Sequence, residues 1–287
     1  MIERRRDVRR DSVKLAVRDF GGDGRDLLLV HGLASTSHIF DLLAPELTSG
    51  FHVVAYDQRG HGESSKPSSG YGFDQTAADG AAVIRELGLD RPVVVGHSWG
   101  ANVALELAVR APGLTSGLIL LDGGFLAMRD RMDWKSTKEM LAPPPIAGMH
   151  IDEYLAMIRR FMEGRLELSP GVEAVFRSLM RVDGRGRIRP RLSRSNHLRV
   201  LRAMWEEDPP ALLRRVRVPT LVVATRQEDP EEADAMFIAA KQVGEEVVRE
   251  IDGGVRFQWI EGIHDVPLQR PDAVAELVRG FVAGLPA

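Results

Sequence analysis

The sequence predicts an α/β protein with a doubly wound, mostly parallel sheet and an inserted helical segment. Short apolar runs, such as residues 27–30 and 93–95, alternate with stretches whose apolar residues recur at helical spacing. Strands and helices that alternate in this way indicate a parallel sheet with helices on its faces. The alternation stops after Phe125 and resumes about 90 residues later, near Val218. We therefore expect a core at 1–124 and 216–287 and a helical cap at 125–215.

The individual elements follow from local composition. Residues 12–18 alternate polar and apolar side chains, which is typical of a half-exposed strand, whereas the later strands are apolar runs typical of buried ones. In a parallel sheet, ligands bind outside the carboxyl ends of the strands, and His31, Asp57, Ser98 and Asp122 each follow such an end. The predicted elements are strands at 12–18, 27–30, 52–56, 92–95, 117–121, 218–224 and 255–260 and helices at 38–48, 74–87, 101–108 and 271–283.

Composition limits the classes of function. The chain has 287 residues, of which 44% are hydrophobic and 28% charged, as is ordinary for a globular protein. A formal net charge of −3 argues against a general nucleic-acid-binding protein, and the lack of cysteine excludes disulfides and thiolate metal sites. The N-terminus has no apolar stretch typical of a secretory signal, and no window reaches the roughly 18 apolar residues of a membrane span. We expect a cytoplasmic monomer or homodimer that binds a small molecule, with no nucleic-acid partner and no membrane span.

The segment Gly96-His97-Ser98-Trp99-Gly100 carries the strongest functional signal. It lies between a predicted buried strand and a predicted helix, where a serine flanked by glycines forms a nucleophile elbow. Such a turn is too tight for side chains at its flanks, and it exposes the serine hydroxyl at the edge of the sheet. The following helix directs its amide groups and the positive end of its dipole toward that hydroxyl. Ser98 is thus the candidate nucleophile.

The whole layout resembles the α/β-hydrolase fold, and the resemblance covers nearly the entire chain. It rests on His31-Gly32 after one strand, residues 57–64 after the next, the elbow, and a late histidine. The resemblance implies that His264, in the loop after the last strand, is the base that activates Ser98. It also implies an oxyanion hole made by the backbone amides of Leu33 and Trp99. This mechanism needs no metal or organic cofactor.

The acid that would orient the histidine has three candidates. Family members most often carry it after the strand that corresponds to 218–224, where Glu228 and Asp229 stand, but the glycine of the usual turn is absent there. These two residues also suit the acidic first turn of a helix that begins near Pro230. A minority of the family place the acid after the strand before the cap. There Asp122 precedes two glycines, which would let its carboxylate reach an imidazole. We expect Asp122, with Asp229 and Glu228 as alternatives.

The sequence therefore predicts a serine hydrolase that cleaves carboxylic esters or lactones with small to medium apolar acyl groups. Two alternatives stay open: a carbon–carbon bond hydrolase of the same fold, and a weakly catalytic or non-catalytic ligand-binding protein of that fold. Apolar residues of the segment are expected to line the acyl pocket, namely Phe125, Leu126, Trp134, Met149, Phe161, Met162 and Trp205.

Overall fold

A computed structural model describes residues 3–228 and 232–286. The strands are β1 (Arg4–Arg10), β2 (Val13–Gly21), β3 (Arg25–Val30), β4 (Phe51–Tyr56), β5 (Val93–His97), β6 (Gly117–Leu121), β7 (Met180–Val182), β8 (Ile188–Pro190), β9 (Thr220–Arg226) and β10 (Val255–Glu261). The helices are α1 (Leu43–Leu47), α2 (Phe73–Leu87), α3 (Trp99–Arg110), α4 (Trp134–Leu141), α5 (Ile151–Phe161), α6 (Pro170–Ser178), α7 (Arg194–Glu206), α8 (Pro209–Leu213), α9 (Glu232–Arg249), α10 (Val266–Gln269) and α11 (Pro271–Ala283).

Within the described ranges, eight strands form one sheet in the order β1-β2-β4-β3-β5-β6-β9-β10. The six strands from β4 to β10 in this order pair in parallel, and β1 and β2 are antiparallel additions at one edge. The predicted fold class, an α/β protein with a doubly wound and mostly parallel sheet, is confirmed.

The central strands are buried on both faces because their side chains alternate between two apolar layers. Leu28 and Val30 of β3 join the layer that includes α2 and α3. Leu27 and Leu29 join the opposite layer, which includes α1 and α11. A parallel sheet needs this double cover, which is why its strands are continuous apolar runs. The arrangement leaves the carboxyl ends of β3, β5, β6 and β10 free to present side chains at one edge.

The segment between β6 and β9 contains α4 to α8 and the antiparallel hairpin β7–β8. Its apolar residues form a cluster of their own, centred on Ile151, Tyr154, Val172 and Phe176. The sequence predicts helices here but not the hairpin, because its strands have three residues each and are too short to show periodicity. The division into core and cap at 125 and 215 stays a prediction.

Two elements near the N-terminus differ from expectation. Strand β1 was not anticipated, because its sequence is dominated by arginine and it pairs with β2 alone. The helix expected over 38–48 is a 3-10 turn at Ser37–Phe40 followed by α1. Pro45 explains the interruption, because proline lacks the backbone N–H and clashes with the carbonyl four residues earlier in a continuous helix.

None of the helices in the described part of the chain is long and apolar enough to cross a membrane.

Candidate active site

Ser98 occupies a strained turn between β5 and α3. Its backbone has φ 54° and ψ −124°, a conformation that few residues other than glycine adopt. A Cβ on Gly96 would lie 2.3 Å from the carbonyl oxygen of Gly100, and one on Gly100 would lie 2.1 Å from that of Val30. The strand and the helix therefore approach so closely that neither glycine position accepts a side chain. The Ser98 N–H donates to the Leu121 carbonyl at 2.8 Å, which ties the turn to β6.

The loop after β3 crosses directly over Ser98. A Cβ on Gly32 would lie 3.0 Å from the Cβ of Ser98 and 3.4 Å from its Oγ. The next backbone N–H is that of Leu33, and the N–H of Trp99 begins α3. In the described part of the chain, neither N–H donates to a protein acceptor. Two unpaired amides beside a hydroxyl are suited to receive an anion formed there.

Two buried histidines hold the loops around this turn. The His31 Nε2 accepts a hydrogen bond from the Gln58 backbone N–H at 2.9 Å, and the His61 Nε2 accepts one from the Ala34 N–H at 3.3 Å. Burial lowers the pKa of both histidines, so both are neutral and their ring nitrogens can accept. The contacts of His61 are those of a structural residue that supports the loop over Ser98.

His264 follows β10 and meets Asp122, which follows β6. The His264 Nδ1 lies 2.6 Å from the Asp122 Oδ2. A carboxylate only accepts hydrogen bonds, so Nδ1 carries the proton and Nε2 is left as a free base. The other Asp122 oxygen, Oδ1, accepts from the Thr225 N–H at 2.8 Å, and the carboxylate is fully buried. The carboxylate is thereby held in one orientation against the imidazole.

Each member of this pair favours the charged form of the other. Burial disfavours the Asp122 carboxylate, but the hydrogen bond from His264, with the charges of His264 and Lys241, holds the pKa of Asp122 well below its usual range. Desolvation opposes the His264 imidazolium in part, although 54% of the side chain is exposed, and the hydrogen bond and charge of Asp122 raise the pKa of His264 above its ordinary value. A base of this kind can take a proton and hold it next to an ionised acid.

His97, the neighbour of Ser98, supports the loop that carries His264. Its Nε2 lies 2.8 Å from the His264 carbonyl oxygen, and the two ring centroids are 5.0 Å apart. Burial, with the charge of His264, lowers the pKa of His97 to about 4. The ring is therefore neutral near pH 7, and its Nε2–H donates to the carbonyl. This contact joins the elbow strand to the loop of His264.

Ser98, Asp122 and His264 line one cavity of about 380 Å³. Among the hydrogen bonds of residues 3–228 and 232–286, none joins the Ser98 hydroxyl to His264. Such hydrogen bonds are often long in enzymes without substrate and shorten when it binds. The other walls carry the side chains of Leu126, Leu141, Arg226, Gln227, Asp234, Phe237, Ile238 and Lys241.

Most of the apolar residues expected to line an acyl pocket lie elsewhere. Leu126 alone of that set lines the cavity beside Ser98, and Phe237 and Ile238 of α9 supply apolar surface that was not anticipated. The expectation was wrong because most of these residues pack between the helices of the segment or against the core, whereas Phe161 is 65% exposed. Those that lie elsewhere are Phe125, Trp134, Met149, Phe161, Met162 and Trp205.

The sequence matches the model of the alpha/beta hydrolase family over residues 27–277. The chain belongs to the alpha/beta hydrolase family. It is 31% identical over 225 residues to a 2-(acetamidomethylene)succinate hydrolase of Mesorhizobium japonicum, with 77% of each chain covered. It is 28% identical over 266 residues to a pimeloyl-[acyl-carrier protein] methyl ester esterase of Neisseria meningitidis serogroup C, with 91% of this chain and 94% of that one covered.

A solved structure, the crystal structure of E-2-(acetamidomethylene)succinate hydrolase, has the same fold. It superposes with a TM-score of 0.78 at 22% identity and covers 99% of this chain and 100% of its own. The resemblance to α/β-hydrolases inferred from the sequence is confirmed, and the chain is an enzyme of the hydrolase class.

The structure describes two of the three candidate acids of this hydrolase, Asp122 and Glu228. Asp122 contacts His264, as described above. Glu228 is exposed and makes no hydrogen bond to His264 within the described ranges. Asp229 lies outside the described residues. The loop after β6 thus brings a carboxylate to the imidazole, while Glu228, in the loop after β9, faces solvent.

Lys241 is a polar member of the site that sequence reasoning missed. It lies on α9, 119 positions from Asp122, and its Nζ donates to the Asp122 Oδ2 at 2.9 Å. No local pattern marks it, since a lysine on a helix is usually a solvated residue. Within the ranges that the structure describes, no cluster of three or more His, Asp or Glu side chains has the arrangement of a metal site.

Proposed function

We propose that this hydrolase cleaves carboxylic esters or lactones of small to medium acyl groups through a covalent serine intermediate. The proposal assigns Ser98 as nucleophile, His264 as general base and Asp122 as the acid that orients it. The Leu33 and Trp99 amides are the oxyanion hole. The observation that carries it is the 2.6 Å contact between the His264 Nδ1 and Asp122 at a cavity that Ser98 also lines.

The steps follow from the proton positions. The His264 Nε2 removes the Ser98 proton while Oγ attacks the acyl carbon, and the carbonyl electrons move onto oxygen, where the two amides receive the charge. The imidazolium then gives its proton to the departing alkoxide, which leaves as the alcohol. Water repeats the sequence on the acyl-enzyme and releases the acid. Asp122 stays ionised throughout and stabilises the imidazolium.

The substrate class draws on the cavity and on the named relatives. A volume of about 380 Å³ is at the small end of ligand pockets, and its lining is mixed, with apolar Phe237 and Ile238 and the cationic Arg226. One relative is named as a methyl ester esterase and another as a hydrolase of a succinate derivative, which is a dicarboxylate. Arg226 favours, as a second candidate, small esters whose acyl group carries a carboxylate.

The test uses p-nitrophenyl esters in two matched series, one with neutral acyl groups and one with a terminal carboxylate. We expect a burst of p-nitrophenol followed by steady turnover, and labelling of Ser98 by a fluorophosphonate, located by mass spectrometry. Ser98→Ala is expected to lower kcat by about 10⁵ to 10⁶. Ser69→Ala, an exposed serine outside the cavity, is the matched control. Activity that survives in Ser98→Ala, or a label on another residue, would reject the assignment.

A further inference from the structure

Lys241 is a largely buried cation that contacts the carboxylate of Asp122. Its Nζ lies 2.7 Å from Oδ1 and 2.9 Å from Oδ2, and it also donates to the Thr225 carbonyl and hydroxyl oxygens at 3.0 and 2.9 Å. Its side chain is 13% exposed. A surface lysine keeps its ammonium in water, whereas this one has given up hydration for four protein contacts. The arrangement is therefore a built site.

Both carboxylate oxygens of Asp122 have two polar partners each. Oδ1 accepts from the Thr225 N–H and lies 2.7 Å from the Lys241 ammonium, and Oδ2 accepts from Lys241 and from the His264 Nδ1. Rotation of the carboxylate would break at least two of these bonds, so the lysine and the threonine fix the oxygen that faces the imidazole. The acid is thereby oriented before any substrate arrives.

The charges of Asp122 and Lys241 also affect how readily His264 takes a proton. With neutral His264, the carboxylate and the ammonium sum to zero, and the buried charges are paired, as burial requires. When His264 takes the proton from Ser98, the cluster becomes cationic. The ammonium opposes this step, while the carboxylate favours it. Lys241 therefore weakens, without abolishing, the help that Asp122 gives to the imidazolium.

We propose that Lys241 is a positioning residue, whose ammonium orients the Asp122 carboxylate toward His264 and limits the basicity of that ring. The inference rests on the proposed function, because it concerns how the base and the acid of that function are tuned. It predicts that the enzyme stays active at lower pH than an aspartate–histidine pair without the lysine would allow.

Other charged groups near the His264 ring also affect its protonation. Asp265 follows His264 directly and favours its protonation, and His97 on the elbow strand disfavours it when charged. Arg226 and Asp234 lie further along the cavity wall. These four groups are unchanged in a variant of Lys241, so a shift on its removal reports the ammonium itself.

The experiment compares Lys241→Met and Lys241→Gln with Lys241→Arg. We expect the acid-side midpoint of the kcat/KM profile to move to higher pH by about 1 unit in the two neutral variants, because loss of a nearby positive charge makes the imidazole easier to protonate. KM should stay within about twofold. Lys241→Arg should keep the wild-type midpoint. Gln242→Met, an exposed position next along α9, is the matched control and should match wild type throughout.

Glutamine keeps a donor for Asp122, so Lys241→Gln provides a folded neutral variant if Lys241→Met is unstable. A wild-type midpoint in both neutral variants would overturn the proposal. The same titration followed by NMR of the His264 ring, in Ser98→Ala protein, needs no turnover. If the ring titration moves and protein that keeps Ser98 cleaves no ester, the proposed function fails and the role of Lys241 stands. If the protein cleaves esters but the His264 titration does not move, the proposed function stands and the proposed role of Lys241 fails.

Discussion

Asp122 and Glu207 are equally buried carboxyl groups in two different regions of the molecule, each 7% exposed. Asp122 lies at the carboxyl edge of the sheet, with Lys241 and His264 as partners. Glu207 directly follows α7, where its Oε2 accepts from the Asn102 side chain of α3. The other oxygen of Glu207 has no partner within the described ranges. The two sites differ in the charges around the carboxyl group and not in the depth of burial.

This difference leads to opposite protonation states. The partners of Asp122 outweigh burial and keep it ionised. Burial, reinforced by the nearby charge of Glu106, raises the pKa of Glu207 to about 8 despite the hydrogen bond from Asn102. At pH 7 the carboxylate beside His264 is charged and the one beside α3 is mostly neutral. Burial alone therefore does not decide whether a carboxyl group is ionised, whereas its charged partners do.

Asp122 is expected to affect the rate more than any other carboxyl group of the described residues. Asp122→Asn should lower kcat by about 10⁴, because an amide can donate to the imidazole and select the wrong tautomer. Glu207→Gln, which makes the same change at the other buried carboxyl group, should leave kcat within about twofold. Initial rates on a p-nitrophenyl ester at pH 7.5 measure both. Comparable losses in the two variants would mean that the effect reports disruption of buried structure, and the role assigned to Asp122 would be withdrawn.

The sequence and the structure agree best where the chemistry is local. The elbow at Ser98 is encoded by two glycines that the turn needs, and His264 is recognisable from its place after the last strand. The choice between Asp122 and the pair Glu228 and Asp229 stayed open, because it depends on which of two loops reaches the imidazole across space. Lys241 left no signal at all, since its partner lies 119 positions away.

Secondary structure shows the same division between local and non-local determinants. The apolar runs of the central strands predict them well, because burial on both faces leaves a continuous pattern. Strand β1 and the hairpin β7–β8 were missed, since arginines dominate one and the other has only three residues in each strand. Both form because a partner strand is available, which local composition does not show.

The raised pKa of Glu207 should also make the free energy of unfolding depend on pH. Between the ordinary carboxyl pKa of 4.5 and about 8, folded protein holds a proton on Glu207 that unfolded protein has lost. Stability should therefore fall as pH rises through that window, and Glu207→Gln should escape the fall. Relative to wild type, the variant should gain on the order of 3–4 kcal/mol in free energy of unfolding between pH 5 and pH 8.5, since one pKa unit corresponds to about 1.4 kcal/mol.

Urea denaturation at the two pH values measures this gain. Glu206→Gln changes the adjacent, exposed glutamate and is the matched control, for which the difference from wild type should not depend on pH. A pH-independent difference for Glu207→Gln as well would show that Glu207 ionises normally in the folded protein. Asp122 and Glu207 would then differ in their position in the fold and not in their charge.

The smallest expected effect concerns the carboxyl groups after β9. Glu228 is exposed, so water already solvates its charge and the imidazole gains nothing from it. We expect Glu228→Gln and Asp229→Asn each to retain kcat within about twofold and to keep the pH profile of the wild type, as measured with the same ester. A loss of a hundredfold or more in Asp229→Asn, with Asp122→Asn nearly normal, would move the acid to the loop after β9. Lys241 would then serve only to neutralise a buried carboxylate, because the acid acting on His264 would no longer be the one that it touches.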